Sequence, residues 1–308
     1  MTPLPTTIPQ YLDQLRRALA GADPALVQDA LYDAEEYLRS ELAEQSGRTE
    51  AEVIASVASS YGAPEEVAEI YRDTETRVQT ALRPPSAPRR RSLLGRFFGV
   101  AVEPRAYAAL FYMLLSLATG IFYFTWVVTG VSLSAGLAVL IIGIPFAVLF
   151  IGSVRVLSLV EGRLVEVMLG ERMPRRPLYA QRGKPWLARI GEMFTDPRTW
   201  GTLLYMLAML PLGVAYFTVA TTLLVTAAVL VALPFLVLFG DVETHVDLDG
   251  AWWLIDEAGR TTMNGWELAL AFVVGVLLVF LTLHIARGIG VLHGQLAKHL
   301  LVKSAQHD

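Results

Sequence analysis

Apolar residues follow two regimes along this chain, with the change near residue 97. Before it they recur at helical spacing among polar residues: Leu12, Leu15 and Leu19; Val27, Leu31, Ala34, Leu38 and Leu42; Val53, Ile54, Val57 and Tyr61; Val67, Ile70 and Tyr71. One apolar stripe per segment predicts four short amphipathic helices within residues 8–80, each needing the others to bury its stripe. The punctuation agrees. Pro9 and Pro24 suit first helical positions, Asp23 can cap the second helix, Thr49 with Glu52 forms a capping-box pattern, and Gly62 followed by Pro64 ends one helix and begins another.

After residue 97 the apolar residues form long runs at about 106–129, 137–160, 199–222 and 266–286. At 1.5 Å per residue each can cross a hydrocarbon layer roughly 30 Å thick. A further run, 223–239, is apolar but short and contains Pro234, which predicts a re-entrant or interfacial helix. Between 240 and 265, "HVDL" and "AWWLID" flank Asp249-Gly250, a pattern for a small β-hairpin. The fold expected is all-α: a small helical head at 1–80, a Pro/Arg-rich linker at 81–103, membrane segments at 104–170 and 197–308, a basic loop at 171–196, and a short external hairpin.

The two membrane segments echo each other. "PRAYAALFYMLLSLATGIFYFT", from Pro104, returns as "PRTWGTLLYMLAMLPLGVAYFT", from Pro197, at a uniform shift of 93 residues. "GIPFAVLFIG" then answers "ALPFLVLFG", so Pro145 and Pro234 correspond. This predicts an internal repeat whose two copies share one orientation.

Charge sets the topology. Residues 1–80 carry 15 Asp plus Glu against 6 Arg and no Lys, a local charge of −9 in a chain of net −4. The linker holds Arg83, Arg89, Arg90, Arg91 and Arg96, and residues 155–198 hold nine Lys plus Arg, among them Arg175, Arg176, Arg182 and Lys184. Both stretches read as cytoplasmic. Residues 240–265 are acidic with only Arg260, hence external, and the tail with Arg287, Lys298 and Lys303 returns inside. Four crossings with both termini cytoplasmic satisfy these assignments, and no cleavable signal peptide is expected at the N-terminus. The basic positions Arg89, Arg90, Arg91, Arg96, Arg175, Arg176, Arg182 and Lys184 are expected to contact anionic lipid or the acidic head.

Composition narrows the chemistry. The chain is 54% hydrophobic with 18% charged residues and has no cysteine, which removes disulfides, thiolate metal sites and cysteine nucleophiles. No phosphate loop, HExxH, GxSxG or dinucleotide fingerprint occurs, so neither enzymatic activity nor a cofactor is expected. His245, Asp247 and Asp249 alternate and would share one strand face, as an external sensing face or as a solvated acidic hairpin. Arg155, Glu161, His284 and Arg287 occupy similar depth and are expected as an intramembrane polar cluster, either structural ion pairs or a relay. Direct nucleic-acid binding is not expected from an acidic head.

The segment with "YLDQLRRAL", an acidic second helix, "GRTEAEV" and "YGAPEEVAEIYR" resembles the HAAS signalling domain. The repeated apolar blocks, "RVLSLVEGRLVEVMLG" and "DPRTWGTLLYMLAMLPLGVAYFT", over about 100–303, resemble the sensor region attached to bacterial histidine kinases and HAAS proteins. The resemblance implies a bacterial inner-membrane sensor, with a PadR-like transcriptional regulator as cytoplasmic partner. No kinase module follows here, so output through a partner is expected. The partner-binding face would be Asp29, Asp33, Glu35, Glu36 and Glu41 on the second helix, with a homo-oligomer left open. A transporter or permease subunit is the competing reading, since repeats and proline-interrupted helices occur there also.

Overall fold

The computed structural model describes residues 5–45, 47–82, 92–139, 143–175, 186–239 and 265–302. The head is four helices: α1 (Ile8–Ala18), α2 (Pro24–Glu44), α3 (Glu50–Ser60) and α4 (Pro64–Leu82). Each begins where the sequence supplies an acceptor for exposed amides. Thr7 accepts from the Gln10 amide, Asp23 from the Ala25 amide, and Thr49 and Glu52 exchange bonds in a capping box. Gly62 has φ +117°, a left-handed conformation that a side chain would strain, and turns the chain from α3 into α4. Tyr11, Leu15, Leu19, Leu38, Ile54 and Val57 form the head core, and the Tyr11 hydroxyl donates to the Gly62 carbonyl at 2.8 Å.

The capping box supplies a test of the head. Thr49→Ala is expected to cost about 1 kcal/mol, the usual loss for an N-cap. The Thr49 amide, then its hydroxyl, hold the Glu52 carboxyl below its ordinary range. Its contribution is complete above the unfolded-state pKa and disappears as pH falls through the lower folded-state value. Amide exchange across α3 of the full chain at falling pH should show this loss in the wild type and lack it in Glu52→Gln.

The remaining elements are α5 (Leu93–Gly99), α6 (Pro104–Leu137), α7 (Gly143–Leu169), α8 (Trp186–Thr195), α9 (Pro197–Phe239) and α10 (Gly265–Leu301). Four of them, α6, α7, α9 and α10, are long and apolar enough to cross a membrane. Short α5 falls within the stretch read as linker and α8 within the basic loop, where charge dominates the sequence signal. By internal contacts the chain divides into one unit of residues 1–89, 125–207 and 294–308 and another of 90–124 and 208–293. In the first, the Trp126 indole donates to the Ser153 hydroxyl at 2.9 Å. In the second, Gly120 lies against the backbone of Met209 and Leu210, and Gly213 against that of Ser116 and Leu117.

Two expectations change. Residues 223–239 are not a separate re-entrant helix; they continue α9, which runs unbroken for 43 residues with Pro211 and Pro234 inside it. A proline removes one amide donor, but leaving the helix in an apolar surrounding would strand many more backbone groups, so the helix persists. The helix boundaries also do not reproduce the repeat: α6 ends at Leu137 and α7 starts at Gly143, whereas the second half continues through its corresponding proline. The hairpin expected at 240–265 lies outside the described residues except for Gly265 in α10, and the described residues form helices with no strand.

Candidate functional site

The best-defined polar site joins the head to the segment that follows α7. Gly170 ends α7 with φ +78°, and residues 171–174 run on as a strap without helix. Two glycines seat this strap. A Cβ on Gly162 of α7 would touch Met173, which is fully buried, and one on Gly294 of α10 would strike Glu171. The strap therefore presents Arg172 and the Arg175 amide to the head from a fixed position.

Asp29 of α2 receives both. Its Oδ2 accepts from Arg172 Nη2 at 3.1 Å and its Oδ1 from the Arg175 backbone amide at 2.7 Å. Arg172 also pairs through Nη1 with Glu75 of α4 at 3.2 Å. The Asp29 and Arg172 side chains are only 8% and 14% exposed, so water screens this pair little and loss of one partner leaves a costly charge. Lys298 of α10 pairs with Asp23, the α2 cap, and lies 3.9 Å from Glu171 of the strap. Arg198, in the first turn of α9, donates through Nη1 to Gln28 Oε1 at 3.3 Å.

The acidic positions expected as one partner-binding face separate. Asp29 is occupied as above, and Asp33 accepts from the Tyr71 hydroxyl at 3.1 Å. Burial first, then Tyr61 and Asp33, raise the Tyr71 pKa, so the phenol stays protonated as a donor. Glu35 is buried against Arg39 at 2.7 Å, and Glu41 accepts from Gln45. Glu36 alone of the five is exposed. Of the basic positions, Arg96 is exposed on α5 and Arg175 also reaches Glu166 at 3.2 Å. Arg89, Arg90, Arg91, Arg176, Arg182 and Lys184 lie outside the described residues, as do His245, Asp247 and Asp249.

Arg155, Glu161, His284 and Arg287 each find a partner outside their own set. Arg155 pairs with Asp196 at 3.4 Å, and the buried Glu161 accepts from the Tyr205 hydroxyl at 2.8 Å. His284 Nε2 meets the Phe97 carbonyl at 3.0 Å, and Arg287 pairs with Glu103 at 2.7 Å. A further buried group, His293, lies 2.7 Å through Nε2 from the Tyr112 hydroxyl.

Sequence reading missed Arg172, Glu75, Arg198 and His293, and a signal for one of them was present. A second shift, of 132 residues, lays Arg155 on Arg287 and Glu161-Gly162 on His293-Gly294. Tyr112 and Tyr205 each bond the first residue of such a pair, His293 and Glu161. Arg155 and Arg287 each pair with the acid just before a Pro-Arg helix start, Asp196 and Glu103. Tyr107 and Trp200 each donate to a carbonyl six residues earlier, Ala101 and Phe194, both at 2.9 Å.

Fold and site together define a helical membrane protein carrying a four-helix polar head bound to a strap between its membrane helices. The family model described as Putative sensor matches residues 112–301, more than half of the chain, and the chain belongs to that family. The HAAS model matches residues 10–70, within the head. No curated protein and no solved structure matches the chain.

Proposed function

We propose that the protein is a bacterial inner-membrane signalling protein, with both termini cytoplasmic, that holds its HAAS head on the strap and releases it to a cytoplasmic partner. The observation that carries this reading is Asp29, buried between Arg172 and the Arg175 amide. A head that serves only as a solvated cap has no need of a shielded ion pair to the membrane segment. The partner class implied by the HAAS resemblance is a PadR-like regulator, and the role is signalling without catalysis. The paired contacts of Tyr112 with His293 and Tyr205 with Glu161 support reading the membrane region as two copies of one unit, with each tyrosine held by the other copy.

The test frees the head without altering its surface. Arg172→Gln together with Lys298→Gln, in the full chain and in native membranes, should increase recovery of a cytoplasmic protein cross-linked to the head. Recovery equal to wild type, with the head shown to be undocked by amide exchange, would remove the release step.

A further inference from the structure

Beside Arg198, a cavity of about 130 Å³ has Gln28, Arg155, Ser158, Arg198, Thr199 and Thr202 as its polar lining, and the remainder of its wall, Met173 of the strap included, is apolar. We propose that this cavity binds a phosphate oxyanion, carried on a lipid headgroup or free in solution. The two guanidinium groups are the first reason. The Nε atoms of Arg155 and Arg198 are both shut off from solvent and neither has an acceptor. An arginine fork offers Nε–H beside Nη–H in the geometry that a phosphate or carboxylate takes with two parallel bonds. Here each Nε–H is unpaired but closed to water, so an anion in the cavity would reach it only as the side chain turns toward it.

The contacts that the two arginines do make are long and shared. Arg155 Nη2 stands 3.4 Å from Asp196 Oδ2 and 3.3 Å from Thr199 Oγ1, and Arg198 Nη1 stands 3.3 Å from the neutral Gln28 amide. Asp196 also accepts the Arg198 backbone amide at 2.9 Å, so one carboxylate serves both residues. Arg16 of α1 adds another positive charge acting on Arg198. Arg16 has Asp13 at 4.0 Å, so around the cavity two guanidiniums and the amino end of α9 stand against the one carboxylate of Asp196, a positive surplus that an anion would offset.

Two hydroxyls of the lining suit the same ligand. Thr199 and Thr202 are buried, at 3% and 6% exposure, and supply hydroxyls that can donate to oxyanion oxygens. The volume corresponds to about four water molecules at the liquid value, room for a tetrahedral group. Val156 on the rim is 62% exposed, so the cavity opens beside α7, where a lipid headgroup can enter.

Arg198 also holds Gln28 of α2, so an oxyanion drawing on its guanidinium acts at a head contact. That coupling rests on the release reading above, whereas binding itself does not. The full chain in uncharged detergent is titrated separately with short-chain phosphatidic acid, the matching diacylglycerol and inorganic phosphate, and its unfolding temperature and the amide exchange of α2 are read. We expect a saturable rise with phosphatidic acid and none with diacylglycerol. An equal rise with inorganic phosphate assigns the free ion; a rise with the lipid only assigns the headgroup. Arg198→Gln and Arg155→Gln should each weaken binding about tenfold or more, the scale of a lost charge-assisted bond. Thr202→Val, which leaves every charge in place, should weaken it less, and Arg105→Gln, exposed in the first turn of α6, should leave it unchanged. No saturable rise with either phosphate probe overturns the site, as does undiminished binding in both Arg198→Gln and Thr202→Val. Binding with unchanged α2 exchange supports the site and overturns only its coupling to the head.

Discussion

Asp29→Ala is expected to undock the head. The substitution removes the acceptor of both the Arg172 guanidinium and the Arg175 amide and leaves Arg172, 14% exposed, with Glu75 as its ion-pair partner. Breaking a buried pair by deleting one member costs about 3–5 kcal/mol. The remaining Glu75 pair softens this, so about 2–3 kcal/mol of docking free energy should be lost, a shift of roughly 30- to 150-fold toward the free head. Hydrogen exchange reads it directly: amides of residues 171–175 should lose protection while those of α1 and α3 keep theirs, because the apolar core around Leu15 and Ile54 is built from other residues. Glu36→Ala, an exposed acid on the same helix, should change neither region. Undiminished protection of 171–175 in Asp29→Ala would mean that the ion pair does not hold the head.

The second large effect is steric. A Cβ on Gly120 would overlap the Met209 carbonyl oxygen, and one on Gly213 the Ser116 carbonyl oxygen. Both obstacles are backbone, so no rotamer change relieves them. Elsewhere in a helix Gly→Ala gains roughly 0.5–1 kcal/mol from reduced chain entropy. Here Gly120→Ala and Gly213→Ala should each destabilise by about 1–3 kcal/mol as overpacking does, and the leucine substitutions should abolish recovery of folded protein. Gly152→Ala, with nothing within 4 Å, is the matched comparison and should be neutral or stabilising. Unfolding temperatures in detergent that fail to separate Gly120 from Gly152 would remove the close crossing of α6 and α9.

The head was the most legible part because each of its boundaries is written locally. Thr49, Glu52, Asp23 and Gly62 act on backbone groups within four residues, and the structure uses them in those roles. The number of membrane-crossing helices was also legible, since length and apolarity decide it. The extent of α9 was not: Pro234 carries the weight of a breaker in water, and only the cost of unpaired backbone in an apolar phase outvotes it. The site was half visible. Asp29 and Arg175 could be selected by charge, and Arg155 and Glu161 by depth, but their partners could not. Arg172 is set by a left-handed glycine and two seating glycines, Gly162 and Gly294, whose role depends on neighbours distant in sequence.

At 1.5 Å per residue α9 is about 64 Å long, roughly twice the thickness of a hydrocarbon layer. Apolar side chains continue to Phe239, so the excess is not a polar extension that water would welcome. Such a helix meets a bilayer by tilting, bending, or thickening the lipid around it, each at a fraction of a kcal/mol per Å of mismatch. Summed over tens of ångströms, hydrophobic mismatch makes bilayer thickness a mechanical load on α9. Arg198 lies in the first turn of that helix, so a tilt that moves its amino end would shift the guanidinium relative to Gln28.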